Sequence, residues 1–141
     1  MPPDLRDRLL AVQEKAGFIP NVFLTLAHRP DEFRAFFAYH DALMERPGNL
    51  TKAEREMIVV ATNYRKADIT AHQKAMLDFA LKVSEQAHRV DDADFATLAG
   101  HGFSDDDVWD IAAISAFFGL SNRMANVTSM RPNTEFYAMG R

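Results

Sequence analysis

The residues from Val108 to Leu120 constrain this chain more than any others, since only Asp110, Ser115 and Gly119 among them are not apolar. A helix apolar on nearly every side is central to a helical fold or lies in a subunit interface. Ser104 stands where it can cap that helix, and Asp105, Asp106 and Asp107 suit its positive N-terminal end. The run falls short of the roughly 18 apolar residues needed to span a bilayer, so no membrane helix is expected.

The rest of the chain reads with the same period. Pro30 opens a helix whose Phe33, Phe36, Phe37, His40, Leu43 and Met44 share one stripe, with Arg34, Asp41 and Glu45 opposite. Asp4 is placed to cap a first helix through about Lys15, ended by Gly17, and a short segment follows from Val22 to Ala27. Thr70 to Gln73 forms a capping box that starts a helix to about Gln86, and Val90 to Ala99 forms a weaker one. The tail from Arg131 to Tyr137 reads as extended and anchored by its aromatic residues. No strand pattern competes, so the predicted fold class is all-α. At 141 residues one domain with a real hydrophobic core is expected.

Charge and residue counts exclude several functions. Sixteen Lys and Arg against twenty Asp and Glu leave a net charge of −4 with no basic run, which disfavours nucleic-acid and anionic-membrane partners. The N-terminus, Met-Pro-Pro-Asp-Leu-Arg, carries charge where a signal peptide needs an apolar stretch, so a cytoplasmic location is expected. There is no cysteine, which removes disulfides, thiolate metal sites and thiol nucleophiles from these 141 residues. His28, His40, His72, His88 and His101 lack metal-ligand spacing, and His40 reads as a hydrogen-bonded core or interface histidine. Asp91, Asp92 and Asp94 lack the glycine and terminal glutamate of a calcium loop and read as helix-start acids. No metal or cofactor is therefore expected, and Trp109, Phe117 and Phe118 read as core.

Thr51-Lys52-Ala53-Glu54 is a second capping box, followed by the apolar run Met57 to Ala61. The pattern then stops at Thr62-Asn63-Tyr64-Arg65-Lys66-Ala67-Asp68 without a glycine or proline, after only about three turns. With Ala53, Met57, Val60 and Ala61 as the buried face, Glu56 lies about 40° from Val60, on the flank of that face. Spacing leaves two readings of Glu56 open. One is a partly desolvated carboxylate suited to proton transfer; the other is a helix-start acid, or one paired with a neighbouring Arg.

Several segments together resemble the AhpD-like, carboxymuconolactone decarboxylase family, in its peroxidase-related branch. They are Gly17 to Phe23, Leu50 to Val60, Phe118 to Asn126, and Met130 to Asn133 followed by Glu135-Phe136-Tyr137. The resemblance covers nearly the whole chain in order. It implies an all-α helical bundle that assembles into homo-oligomers. Peroxidase members use a Cys-x-x-Cys-x-x-x-His motif, with a glutamate on the preceding helix relaying protons to the thiols. By resemblance the substrate is a hydroperoxide, the partner a thiol reductant, the role antioxidant, and Glu56 the catalytic relay.

The motif expected about three turns beyond Glu56 is missing, at the same junction where the apolar run stops. Three accounts stay open. Ala61 and Asn63 flank a segment that belongs to the full molecule; or a deletion leaves an oligomeric, catalytically dead domain; or the chain has another role and its helices close up directly. In the first, the activity is thiol-dependent hydroperoxide reduction. The alternatives are a non-catalytic helical oligomerisation or binding protein, and a carboxymuconolactone-type decarboxylase.

Overall fold

A computed structural model describes residues 1–59 and 68–135. Among them are seven α-helices and no strand: α1 (Pro3–Ala16), α2 (Asn21–Leu26), α3 (Pro30–Met44), α4 (Lys52–Val59), α5 (Ala71–Gln86), α6 (Asp92–Gly100) and α7 (Asp105–Val127). A 3₁₀ turn, Ala87–Arg89, follows α5. The all-α expectation holds. The junction at Ala61 to Asn63 lies outside the described residues. So does the expected aromatic anchor Phe136-Tyr137.

Two compact units share the chain: Met1–Tyr39 with Ser121–Arg141, and His40–Leu120. In the first, Leu5, Leu9, Phe33 and Phe37 form a buried core, with Val22, Phe23 and Leu26 packed against it. Phe23 stacks on Phe37 at 4.1 Å between ring centroids, and Phe33 tilts against Phe37 at 4.7 Å. Burying each such Phe or Leu contributes about 1.5–3 kcal/mol. The left-handed Gly17 (φ 82°) ends α1, as expected.

Asp4 does not cap α1. The N-cap is Pro2, and Asp4 instead accepts two bonds from Arg34, at 2.7 and 2.9 Å. Proline at the first helical position already fixes the entry angle, which frees the carboxylate for a fork-to-fork pair. Asn133 makes a different long-range cap. Its Oδ1 accepts from the Asn21 N–H at 2.7 Å, its Nδ2 donates to the Ile19 carbonyl at 3.1 Å, and Asn21 Nδ2 donates to the Arg131 carbonyl at 2.7 Å. This joins the tail to the start of α2, whose N-cap Pro20 offers no side-chain acceptor.

In the second unit, Met76, Leu77, Phe79 and Ala80 of α5 are buried, as are Leu98, Phe103, Ile111, Ile114 and Phe117. Local caps set the helix starts. Thr70 with Gln73 and Asp91 with Asp94 form complete capping boxes. Ser104 with Asp107 does the same for α7. The acids at 91 and 94 are thus helix-start residues, as their sequence context suggested.

The expectation of a central α7 needs correcting: within one chain Asp107, Asp110, Ile111, Ile114, Ser115 and Phe117 form one buried stripe and the helix is not buried all round. Trp109, read as core, is 69% exposed, whereas Phe117 is buried and Phe118 half-buried. Trp109 lies one residue before Asp110, about 100° round the helix, so the stripe that buries Asp110 turns Trp109 outward. No helix among the described residues is long and apolar enough to cross a membrane.

Candidate functional site

The only catalytic candidate, Glu56, belongs to α4, and the contacts of Arg55 decide how that helix sits. The helix begins at the predicted capping box. The Thr51 N–H and hydroxyl both donate to Glu54 Oε2 at 2.9 Å, and the Glu54 N–H donates to Thr51 Oγ1 at 3.2 Å. One residue later, Arg55 is only 1% exposed. Its guanidinium donates from Nη1 to the Leu43 carbonyl at 2.7 Å and from Nη2 to Asp110 Oδ2 at 2.9 Å. Asp110, also buried, receives a second guanidinium at Oδ1, from Arg46 at 2.9 Å. Each of these three contacts is a charge-assisted bond, as a buried ion pair requires.

This anchor fixes the rotation of α4 and differs from the predicted buried face at Ala53, while Val60 and Ala61 of that face lie outside the described residues. Arg55 and Ile58 point inward, Met57 is half-buried, and Ala53 is exposed. Glu56, about 100° round from Arg55, is exposed. The misreading has a physical cause. Arginine is assigned to solvent when a helix is phased by its apolar residues, but here the inward position is an arginine. An acid inside an apolar run needs a buried partner, so Asp110 was the signal that could have found it.

Beside this anchor, the sequence reading also missed a junction of helix ends around His72. The His72 ring stacks on Phe103 at 3.9 Å between centroids, with 21° between planes. Nδ1 donates to the His101 carbonyl at 2.7 Å, which leaves Nε2 facing Glu54 Oε1 at 3.9 Å. Asp107 lies in the same region. Burial opposes its charge, but the Ser104 N–H and hydroxyl, the Asn49 amide and nearby His72 hold its carboxyl below the usual value. His40, singled out from the sequence, is half-buried with Nδ1 3.0 Å from Asp41 Oδ1.

Chemically, α4 presents an exposed carboxylate on a helix locked in rotation by a buried ion pair. Such a group can exchange protons with whatever is placed beside it. Among the described residues, no three His, Cys, Asp or Glu side chains converge as a metal site.

No protein-family profile matches the chain, and no curated protein matches it. Solved structures do. A crystal structure of an alkylhydroperoxidase AhpD core, an uncharacterized peroxidase-related protein from Ralstonia eutropha JMP134, is 59% identical with a TM-score of 0.95. That match covers all of this chain and 91% of the other. An uncharacterized peroxidase-related protein from Silicibacter sp. TM1040 is 34% identical with a TM-score of 0.90, over 95% of this chain and 87% of the other.

Proposed function

Because the chain belongs to the AhpD-like, peroxidase-related family, we propose that it is the scaffold of a thiol-dependent hydroperoxide reductase. Glu56 is its proton relay, and the cysteine pair comes from a segment between Ala61 and Asn63 that these 141 residues do not contain. The observation that carries this reading is the likeness to the Ralstonia protein over the whole chain, and the presence of Glu56 on α4 agrees with it.

The chemistry defines what each part supplies. One thiolate attacks a peroxide oxygen, the O–O bond breaks, and the alcohol leaves with a proton. The resulting sulfenic acid condenses with the second thiol to give a disulfide and water, and an external dithiol returns both sulfurs to the reduced state. Glu56 would take the proton from the attacking thiol and return it to the leaving oxygen. We assign the whole chain to one domain, working as a homo-oligomer in the cytoplasm.

A second reading is a non-catalytic helical binding or assembly domain. It is favoured by the absence of any thiol from the chain as it stands. Intact mass with a peroxide-consumption assay in excess dithiol separates the two. A 15.9 kDa species is expected to be inert, and a heavier species carrying the cysteine segment is expected to turn over. A heavier species with both cysteines and no turnover would overturn the reductase. A sole 15.9 kDa species would assign the protein to the second reading.

A further inference from the structure

Helices α5, α6 and α7 leave an open groove of about 440 Å³ in the His40–Leu120 unit. It is lined by Phe79 and Val83 of α5, Phe95 of α6, and Asp105, Val108 and Trp109 of α7. Phe79 and Phe95 meet edge to face at 6.2 Å, while Trp109 and Phe95 remain 69% and 44% exposed. Indole and phenyl surface left in water is costly, and the volume falls in the range of small-molecule sites.

One charged group lines the groove. Asp105 is exposed and has no ion pair among the described residues. The two lysines of α5 are already committed: Lys82 to both oxygens of Asp94, at 2.6 and 2.7 Å, and Lys74 to Asp78. A neutral apolar ligand would strip water from the Asp105 carboxylate with no compensation, and an anion would be repelled. A cation with an apolar body satisfies both features, since its charge meets the carboxylate and the aromatic faces while its carbon surface covers Val83 and Val108. The positive end of α7 tempers the Asp105 charge, so the charge contribution is modest.

We propose that this groove binds a small organic cation with an apolar body, of the arylalkyl or alkyl quaternary-ammonium class. The site is independent of the thiol chemistry and needs no residue of it.

Trp109 is the only tryptophan in the chain, so its fluorescence reads the groove directly. The intact 141-residue protein is titrated with benzyltrimethylammonium, with benzyl alcohol as the neutral comparison. A saturable change in emission is expected with the cation, weakened about threefold to tenfold by Asp105→Asn. Trp109→Ala, followed by calorimetry, should remove most of the cation binding while circular dichroism stays unchanged. Three outcomes overturn the proposal. One is no saturation into the millimolar range. Another is equal binding of cation and alcohol with no effect of Asp105→Asn. The third is a blue shift that grows with protein concentration without ligand, which would assign the groove to a second copy of the chain.

Discussion

Arg55 reaches across 2.9 Å to Asp110 in a setting where neither side chain is more than a few per cent exposed. Removing one partner leaves the other charged and buried, which costs about 3–5 kcal/mol. Asp110→Ala, which leaves Arg55 buried with no carboxylate, should lower stability by that amount in urea denaturation, and Arg55→Ala by less, because Arg46 still pairs with Asp110 at 2.9 Å. The double variant Arg55→Met with Asp110→Leu should recover most of the loss, because it removes both desolvation costs together. Single losses below about 1 kcal/mol would show that water reaches the pair.

Gly48 is coupled to the same anchor. A Cβ there would lie 3.1 Å from Arg55 Nη2 and 3.7 Å from Asp110 Oδ2. The guanidinium is held by Leu43 and Asp110 and cannot swing aside without breaking a bond. Gly48→Ala should therefore cost about 1–3 kcal/mol, as overpacking does. In an Arg55→Met background the same substitution should cost almost nothing. A double-mutant cycle gives the coupling energy, and additive losses would show that Gly48 acts independently of the guanidinium.

What the sequence made legible was local. The boxes Thr51/Glu54 and Thr70/Gln73 each depend on residues three apart, and both form, as does the cap expected of Ser104. The Phe33 and Phe37 stripe is buried for the same reason. What failed was set by distant partners. The phase of α4 depends on an aspartate 55 residues beyond Arg55, and Asp4 left its predicted cap for Arg34, 30 residues on. The place of Glu56 on α4 was legible, but its exposure was not, because that follows from the burial of Arg55 beside it.

Asp107 gives the fold a defined acid sensitivity. Despite burial, its carboxyl is held below the ordinary value by Ser104, Asn49 and His72. A carboxylate with a lower pKa in the folded state stabilises fully above its unfolded value, about 3.9, and loses that contribution as pH falls through the folded value. Asp94, lowered against burial by Lys82 and the Asp91 N–H, adds in the same direction. Asp107→Asn should therefore be less stable than wild type at pH 7, with the gap closing below about pH 4. Chemical denaturation at pH 7, 4 and 3 measures this. A gap that stays constant on acidification would mean that Asp107 contributes through shape rather than charge.

Glu56 offers a test that separates catalysis from stability. It is exposed, whereas its neighbour Arg55 carries the packing of α4. Glu56→Gln should shift stability by no more than about 0.5 kcal/mol, as surface changes usually do. In the molecule that carries the cysteine segment, loss of a positioned proton relay should lower hydroperoxide turnover about 100-fold. The pH profile should change as well, since glutamine cannot exchange a proton, while Glu56→Asp should retain part of the rate. Unchanged turnover with an unchanged pH profile would remove Glu56 from the reaction and leave it an ordinary surface acid on a well-anchored helix.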